Sequence, residues 1–194
     1  MPQAFIQTLS ESADYHSDLA ALFTRLCPKN TNSLLLESAE ISSKNSLKSL
    51  LLIKAAVKIT CLGQSVTFKA LSNNGISVLS LVKETLQGSA KLTSDGQSLL
   101  HAEFFPLAQN LDEDSKLQSA TVFDGLRVIN NLYQHSSTPI FLGGLFAYDL
   151  VASFIPMTGI TLEDDGLTCP DYVFYLAEHL LRLDHPTQQA TLQT

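Results

Sequence analysis

Leu50-Leu51-Leu52-Ile53-Lys54-Ala55-Ala56-Val57-Lys58-Ile59-Thr60-Cys61-Leu62, a Gly63-Gln64 turn, and Ser65-Val66-Thr67-Phe68-Lys69-Ala70-Leu71 read as a β-hairpin. In the second arm Val66, Phe68 and Ala70 alternate with Thr67 and Lys69, which gives one dry face and one wet face. A half-wet strand belongs to an antiparallel sheet, because parallel sheets are covered on both sides. Just upstream, Leu34-Leu35-Leu36 runs into Glu37-Ser38 and predicts a strand buried on both faces that stops at two polar groups. Lys44 to Ser49 is polar and predicts a short helical or looped connection.

Working outward, Ala4 to Leu9 suggests a first strand. Leu19, Leu22, Phe23 and Leu26 recur at helical spacing after Asp18, and Pro28 closes that helix. Asn73-Asn74-Gly75 is a turn signal, followed by an amphipathic helix over Ile76 to Leu86 that Gly88 ends. Leu99 to Phe105 reads as a strand stopped by Pro106. Ser119 predicts the N-cap of a helix from Ala120 to about Tyr133, with Val122, Phe123, Leu126, Ile129 and Tyr133 facing inward. Ile140 to Tyr148 reads as a fully buried strand, in which Gly143-Gly144 permits a bulge or a close backbone approach. Asp149 is a candidate cap, Thr158 to Pro170 a loop, and Tyr172 to Leu183 a long strand that Gln189 to Gln193 returns along. Strands and helices mix without regular alternation. The expected class is α+β: antiparallel sheets with helices packed outside.

Composition sets the functional limits. Of 194 residues, 45% are hydrophobic and 16% charged, enough for a large core in one domain and too apolar for disorder. There are 12 basic against 19 acidic side chains, and no basic cluster interleaves with aromatics, so a nucleic-acid binder is excluded. Cys27, Cys61 and Cys169 have no ligand-pair spacing and suggest a reducing compartment. No secretory signal opens the chain and no apolar run is long enough for a bilayer, so a cytoplasmic protein without membrane contact is expected.

No GxSxG elbow, phosphate loop, GxGxxG or HExxH occurs. Gly143-Gly144 precedes an apolar strand where a phosphate cradle needs a helix N-terminus. Asp112-Glu113-Asp114 reads as a solvated run and the five histidines as scattered structural or surface groups, so no metal site is expected. Tyr148 and Asp149 read either as a functional pair or, the favoured reading, as a hydroxyl and a cap carboxylate that satisfy each other at a buried strand end.

Four segments fall in one order along the chain: LLLESAEI from Leu34, KSLL from Lys48, FPLAQNLDED from Phe105 and GGLFAYDLV from Gly143. Together they resemble the amino-terminal domain of anthranilate synthase component I, from about Leu34 to Leu183. The resemblance implies that residues 1–194 are the regulatory portion of a longer chorismate-utilising enzyme, whose carboxy-terminal chorismate-binding domain is absent here. The parent family converts chorismate and ammonia or glutamine to anthranilate and pyruvate, with magnesium, and takes ammonia from a glutamine amidotransferase subunit. The resemblance further implies that Leu36, Glu37, Ser38 and Lys48 line a tryptophan feedback site, and that the fragment holds no catalytic residue and no cofactor. An amino-acid zwitterion needs an acceptor for its ammonium, a cation for its carboxylate and an apolar wall. Glu37 and Ser38 suit the first role, Lys48 the second and the leucines the third. Two alternatives stay open: the similar domain of aminodeoxychorismate synthase, and a free-standing amino-acid-binding or amidotransferase-docking module.

Overall fold

The hairpin over β3 (Lys48–Leu62) and β4 (Ser65–Ala70) forms as expected, with Gly63 at φ +59 in the turn and Ile59 facing Phe68 across the antiparallel pair. The computed structural model describes residues 8–37, 47–105, 112, 114, 119–132, 140–153 and 169–194. Among these the chain forms nine strands, three α-helices and a 3-10 helix, an α+β assembly of antiparallel strands. The other elements are β1 (Ser10–Ala13), α1 (Leu19–Leu26), β2 (Leu34–Glu37), α2 (Asn73–Thr85), β5 (Lys91–Asp95), β6 (Leu99–Glu103), α3 (Asp124–Leu132), β7 (Leu142–Phe146), the 3-10 helix Tyr148–Ser153, β8 (Tyr172–Asp184) and β9 (Gln189–Gln193). They fall into two compact units, one drawn from Met1–Ala56, Tyr133–Gly143 and Tyr175–Thr194, the other from Val57–Leu132 and Gly144–Phe174. Both β3 and β8 contribute residues to each unit.

In the first unit the strands follow the order β1-β9-β8-β3, with β2 also pairing β3. Asp18 caps α1 by accepting from the Ala21 N–H at 3.0 Å, and Arg25 lies at the opposite, carbonyl end. The inner face of α1, Leu19 and Leu22, packs on Leu51, Leu181, Leu183 and Ala190, with Leu35, Ile53 and Leu192 around them. Each such fully buried aliphatic contributes about 1.5–3 kcal/mol.

In the second unit β3 continues through β4 and β6 to β5. Val57, Ile59, Cys61, Val66 and Phe68 form its dry face, while Thr67 on the wet face hydrogen-bonds His101 at 3.0 Å. Helix α3 comes close enough that a Cβ on Gly125 would sit 3.0 Å from Val66 Cγ1.

Several expectations are corrected. The first described strand is Ser10–Ala13, and of Ala4 to Leu9 only Thr8 and Leu9 fall within the described residues. Lys48 and Ser49 belong to β3, not to a connection. Asn73-Asn74-Gly75 is the first turn of α2, because Ser72 accepts from the Gly75 N–H and caps it. Helix α3 begins at Asp124, since a turn from Thr121 closes first and Asp124 accepts from the Thr121 N–H at 2.6 Å. Strand β2 is only half-buried: Leu35 packs against the α1 core, while Leu36 on the other face is exposed. Strand β7 exposes Leu145 and Phe146, so it is not fully buried. Most of the Thr158 to Pro170 stretch, together with Tyr133 and Pro106, lies outside the described residues.

Candidate functional site at the β2–β3 strand ends

The antiparallel register sets Leu36 opposite Leu50 and Glu37 opposite Ser49. Register partners share a face and successive residues alternate. Leu36, Leu50 and Lys48 therefore project on one side of the strand pair. Glu37 and Ser49 project on the other, with Leu35 and Leu51, which belong to the α1 core. Lys48 and Glu37 are both exposed, and Leu36 is 44% exposed. Ser38 lies outside the described residues. The structure thus brings Leu36 and Lys48 together on one surface, an apolar wall beside an ammonium. The Glu37 carboxylate leaves on the opposite face.

The charge of Lys48 reaches the β8–β9 turn. Asp184 accepts hydrogen bonds from the Thr187 hydroxyl at 2.9 Å and the Thr187 N–H at 3.2 Å. These two bonds, and after them the nearby Lys48 ammonium and the His185 ring, hold its carboxyl below the usual value.

The next residue, His185, grips the start of β3 at two points. Its backbone N–H donates to the Leu47 carbonyl at 3.0 Å, and its ring Nε2 meets the Ser49 hydroxyl at 2.8 Å. Nδ1 meets the Tyr15 hydroxyl at 2.9 Å, with the two rings edge to face. Sequence reading placed His185 among scattered structural histidines and gave Ser49 no role. The partners lie 136 and 170 residues away along the chain, so no local pattern announces them.

The GGLFAYDLV segment has a structural explanation. A Cβ on Gly144 would collide with the Val173 carbonyl oxygen and stand 2.6 Å from Phe174 Cα, which is the close backbone approach expected of the glycine pair. Phe146 meets Phe123 and Tyr172 edge to face and Phe174 at a tilt. Tyr148 is 90% exposed, which corrects the expected pairing with Asp149 at a buried strand end; the Asp149 side chain is outside the described set. A cleft of about 260 Å³ between α2 and the β5–β6 turn, lined by Ile76, Leu79, Lys83 and Gln97, includes none of the expected site residues. Among the described residues no three His, Cys, Asp or Glu side chains group together. No described helix is long and apolar enough to cross a membrane.

No protein-family model matches the chain. Among curated proteins it is 62% identical over 193 residues to anthranilate synthase component 1 of Haemophilus influenzae, covering 99% of this chain and 37% of that protein. It is 45% identical to the Vibrio parahaemolyticus protein of the same name, over 97% of this chain and 35% of the relative. With the Escherichia coli protein it shares 39% identity, over 97% of this chain and 36% of the relative. The chain therefore spans little more than a third of the length of these relatives. Across nearly all its residues it corresponds in sequence to the amino-terminal part of anthranilate synthase component 1, and that is the family resemblance it carries.

Proposed function

We propose that this chain is the regulatory amino-terminal portion of an anthranilate synthase component I and carries part of the tryptophan feedback site at the β2–β3 strand ends. The observation that carries the assignment is 62% identity over 99% of the chain to a protein of that name. The relatives quoted above share the name, which favours the anthranilate branch over the aminodeoxychorismate branch. In the whole enzyme chorismate and ammonia become anthranilate and pyruvate in the cytoplasm. The remainder of the enzyme supplies the catalytic groups and the magnesium ligands. A component II amidotransferase supplies ammonia.

The surface of Leu36 and Lys48 suits an amino-acid ligand. The Lys48 ammonium can receive a carboxylate and half-exposed Leu36 can receive apolar side-chain surface. Tryptophan inhibits by preferring the inactive state, so weakening that preference weakens inhibition.

The test is a tryptophan titration of initial rate in the full-length enzyme with Lys48→Ala. A hydrogen bond to a charged group is worth about 1.5–3 kcal/mol, so the half-inhibiting concentration should rise at least about tenfold. An unshifted curve would place the inhibitor elsewhere.

A further inference from the structure

His185 touches both chain neighbours of Lys48 and leaves Lys48 itself free to project on the other face. Its N–H holds the Leu47 carbonyl at 3.0 Å and its Nε2 holds the Ser49 hydroxyl at 2.8 Å. Ser49 is 1% exposed, on the core side of β3 and directly opposite Glu37. A hydroxyl so enclosed cannot reach a substrate, so this Ser–His pair does not act as a nucleophile and its base. Tyr15 completes the arrangement by fixing the far ring nitrogen at 2.9 Å. Both hydroxyls can donate or accept, so the two ring contacts survive in either tautomer.

The Leu47 carbonyl and the Ser49 side chain, on either side of Lys48, are thereby tied to the β8–β9 turn. A lysine has a flexible stem that loses side-chain entropy when it engages a ligand. A strand end that frays would add backbone entropy to that loss. Clamping the residue before and the residue after Lys48 removes the backbone contribution before the ligand arrives, which is preorganisation. Ser49, which the clamp holds, stands opposite Glu37 in the β2–β3 register.

We infer that His185, acting through Ser49 and Leu47 and itself braced by Tyr15, is the positioning residue that presents Lys48 to the amino-acid inhibitor. This rests on the reading of Lys48 as the carboxylate partner in the feedback site.

The experiment is a double-mutant cycle on the full-length enzyme, read as the half-inhibiting tryptophan concentration relative to each variant's own uninhibited rate. Ser49→Ala and His185→Leu should each raise that concentration about fivefold when Lys48 is present, and less than about twofold in a Lys48→Ala background. His185→Gln, whose amide can still meet Ser49, should recover much of the sensitivity lost in His185→Leu. Should His185→Leu fail to fold, Ser49→Ala and Tyr15→Phe carry the same comparison, because each removes a single hydroxyl. Equal shifts in both backgrounds would overturn the inference, since Ser49 and His185 would then act independently of Lys48. No shift in either background, with Lys48→Ala itself desensitised, would also overturn it while sparing the feedback site. No shift from Lys48→Ala would instead remove the feedback reading on which the inference stands.

Discussion

Burial raises the Cys61 thiol from its usual 9.0 to about 12, and the nearby Asp171 charge adds to the effect. Burial, followed by the neighbouring charges, also pushes the Tyr172 phenol well above its usual 10.0, and its hydroxyl donates to the Val122 carbonyl at 2.7 Å. Both groups are neutral when protonated, so at alkaline pH the folded chain keeps protons that the unfolded chain releases. Their contribution to stability is complete below about pH 9 and declines as pH rises from about 9 toward 12. Thermal unfolding at a series of pH values should show a midpoint that holds to about pH 9 and then falls; a midpoint flat to about pH 11 would contradict this. In the native protein, alkylation should reach exposed Cys169 first, and buried Cys27 and Cys61 only after unfolding. Single residues were the least legible scale in the sequence. Lys48 stood out through the resemblance. Ser49 and His185 gave no signal, because their contact is made by a strand end and a turn far apart along the chain.

Among the elements, alternation and capping were readable where one face is clearly dry. The β3–β4 hairpin, α1 behind Asp18 and the β8–β9 return all follow from that pattern. Strand β5 did not, since Lys91-Leu92-Thr93-Ser94-Asp95 carries one apolar residue and borders the sheet, where polar side chains discourage pairing with other molecules. The Leu34–Leu36 run misled in the other direction: three leucines predict burial on both faces, yet the α1 core takes Leu35 and the opposite face leaves Leu36 exposed. The glycine pair in β7 was legible in kind. Gly144→Ala should destabilise the fold by about 1–3 kcal/mol, as overpacking against backbone does, because the obstructing atoms are the Val173 carbonyl and Phe174 Cα. Chemical denaturation should show a lower midpoint at unchanged slope. A midpoint equal to the wild type would mean that β7 and β8 can separate to make room.

At the scale of the whole molecule, the α+β class was readable because strands and helices mix without regular alternation, and the family because four separate segments agree in order. The division into two units sharing β3 and β8 was not, since nothing in a continuous apolar strand marks where its packing partners change. In the proposed reading the rest of the enzyme supplies the catalytic groups and a second wall for tryptophan. The chain alone, given chorismate, magnesium and ammonium, should therefore show no growth of anthranilate fluorescence, and turnover surviving repurification would contradict that. It should also bind tryptophan weakly. Losing half of the ligand's apolar burial, on the order of 100 Å², removes roughly 2–3 kcal/mol, about thirty- to hundredfold in affinity. With 0 Trp and 5 Tyr in the chain, ligand emission reports this directly. Calorimetry showing the same affinity in the chain and in the full-length enzyme would contradict a divided site.

The central claim is that tryptophan acts at the β2–β3 strand ends, and hydrogen exchange on the full-length enzyme with and without tryptophan tests it most directly. Peptides containing Leu34–Glu37 and Leu47–Leu51 should gain protection when the inhibitor is added, because a ligand bridging Leu36 and Lys48 covers the exposed face of that strand pair. Saturating tryptophan that inhibits the enzyme while leaving exchange in both segments unchanged would contradict the account.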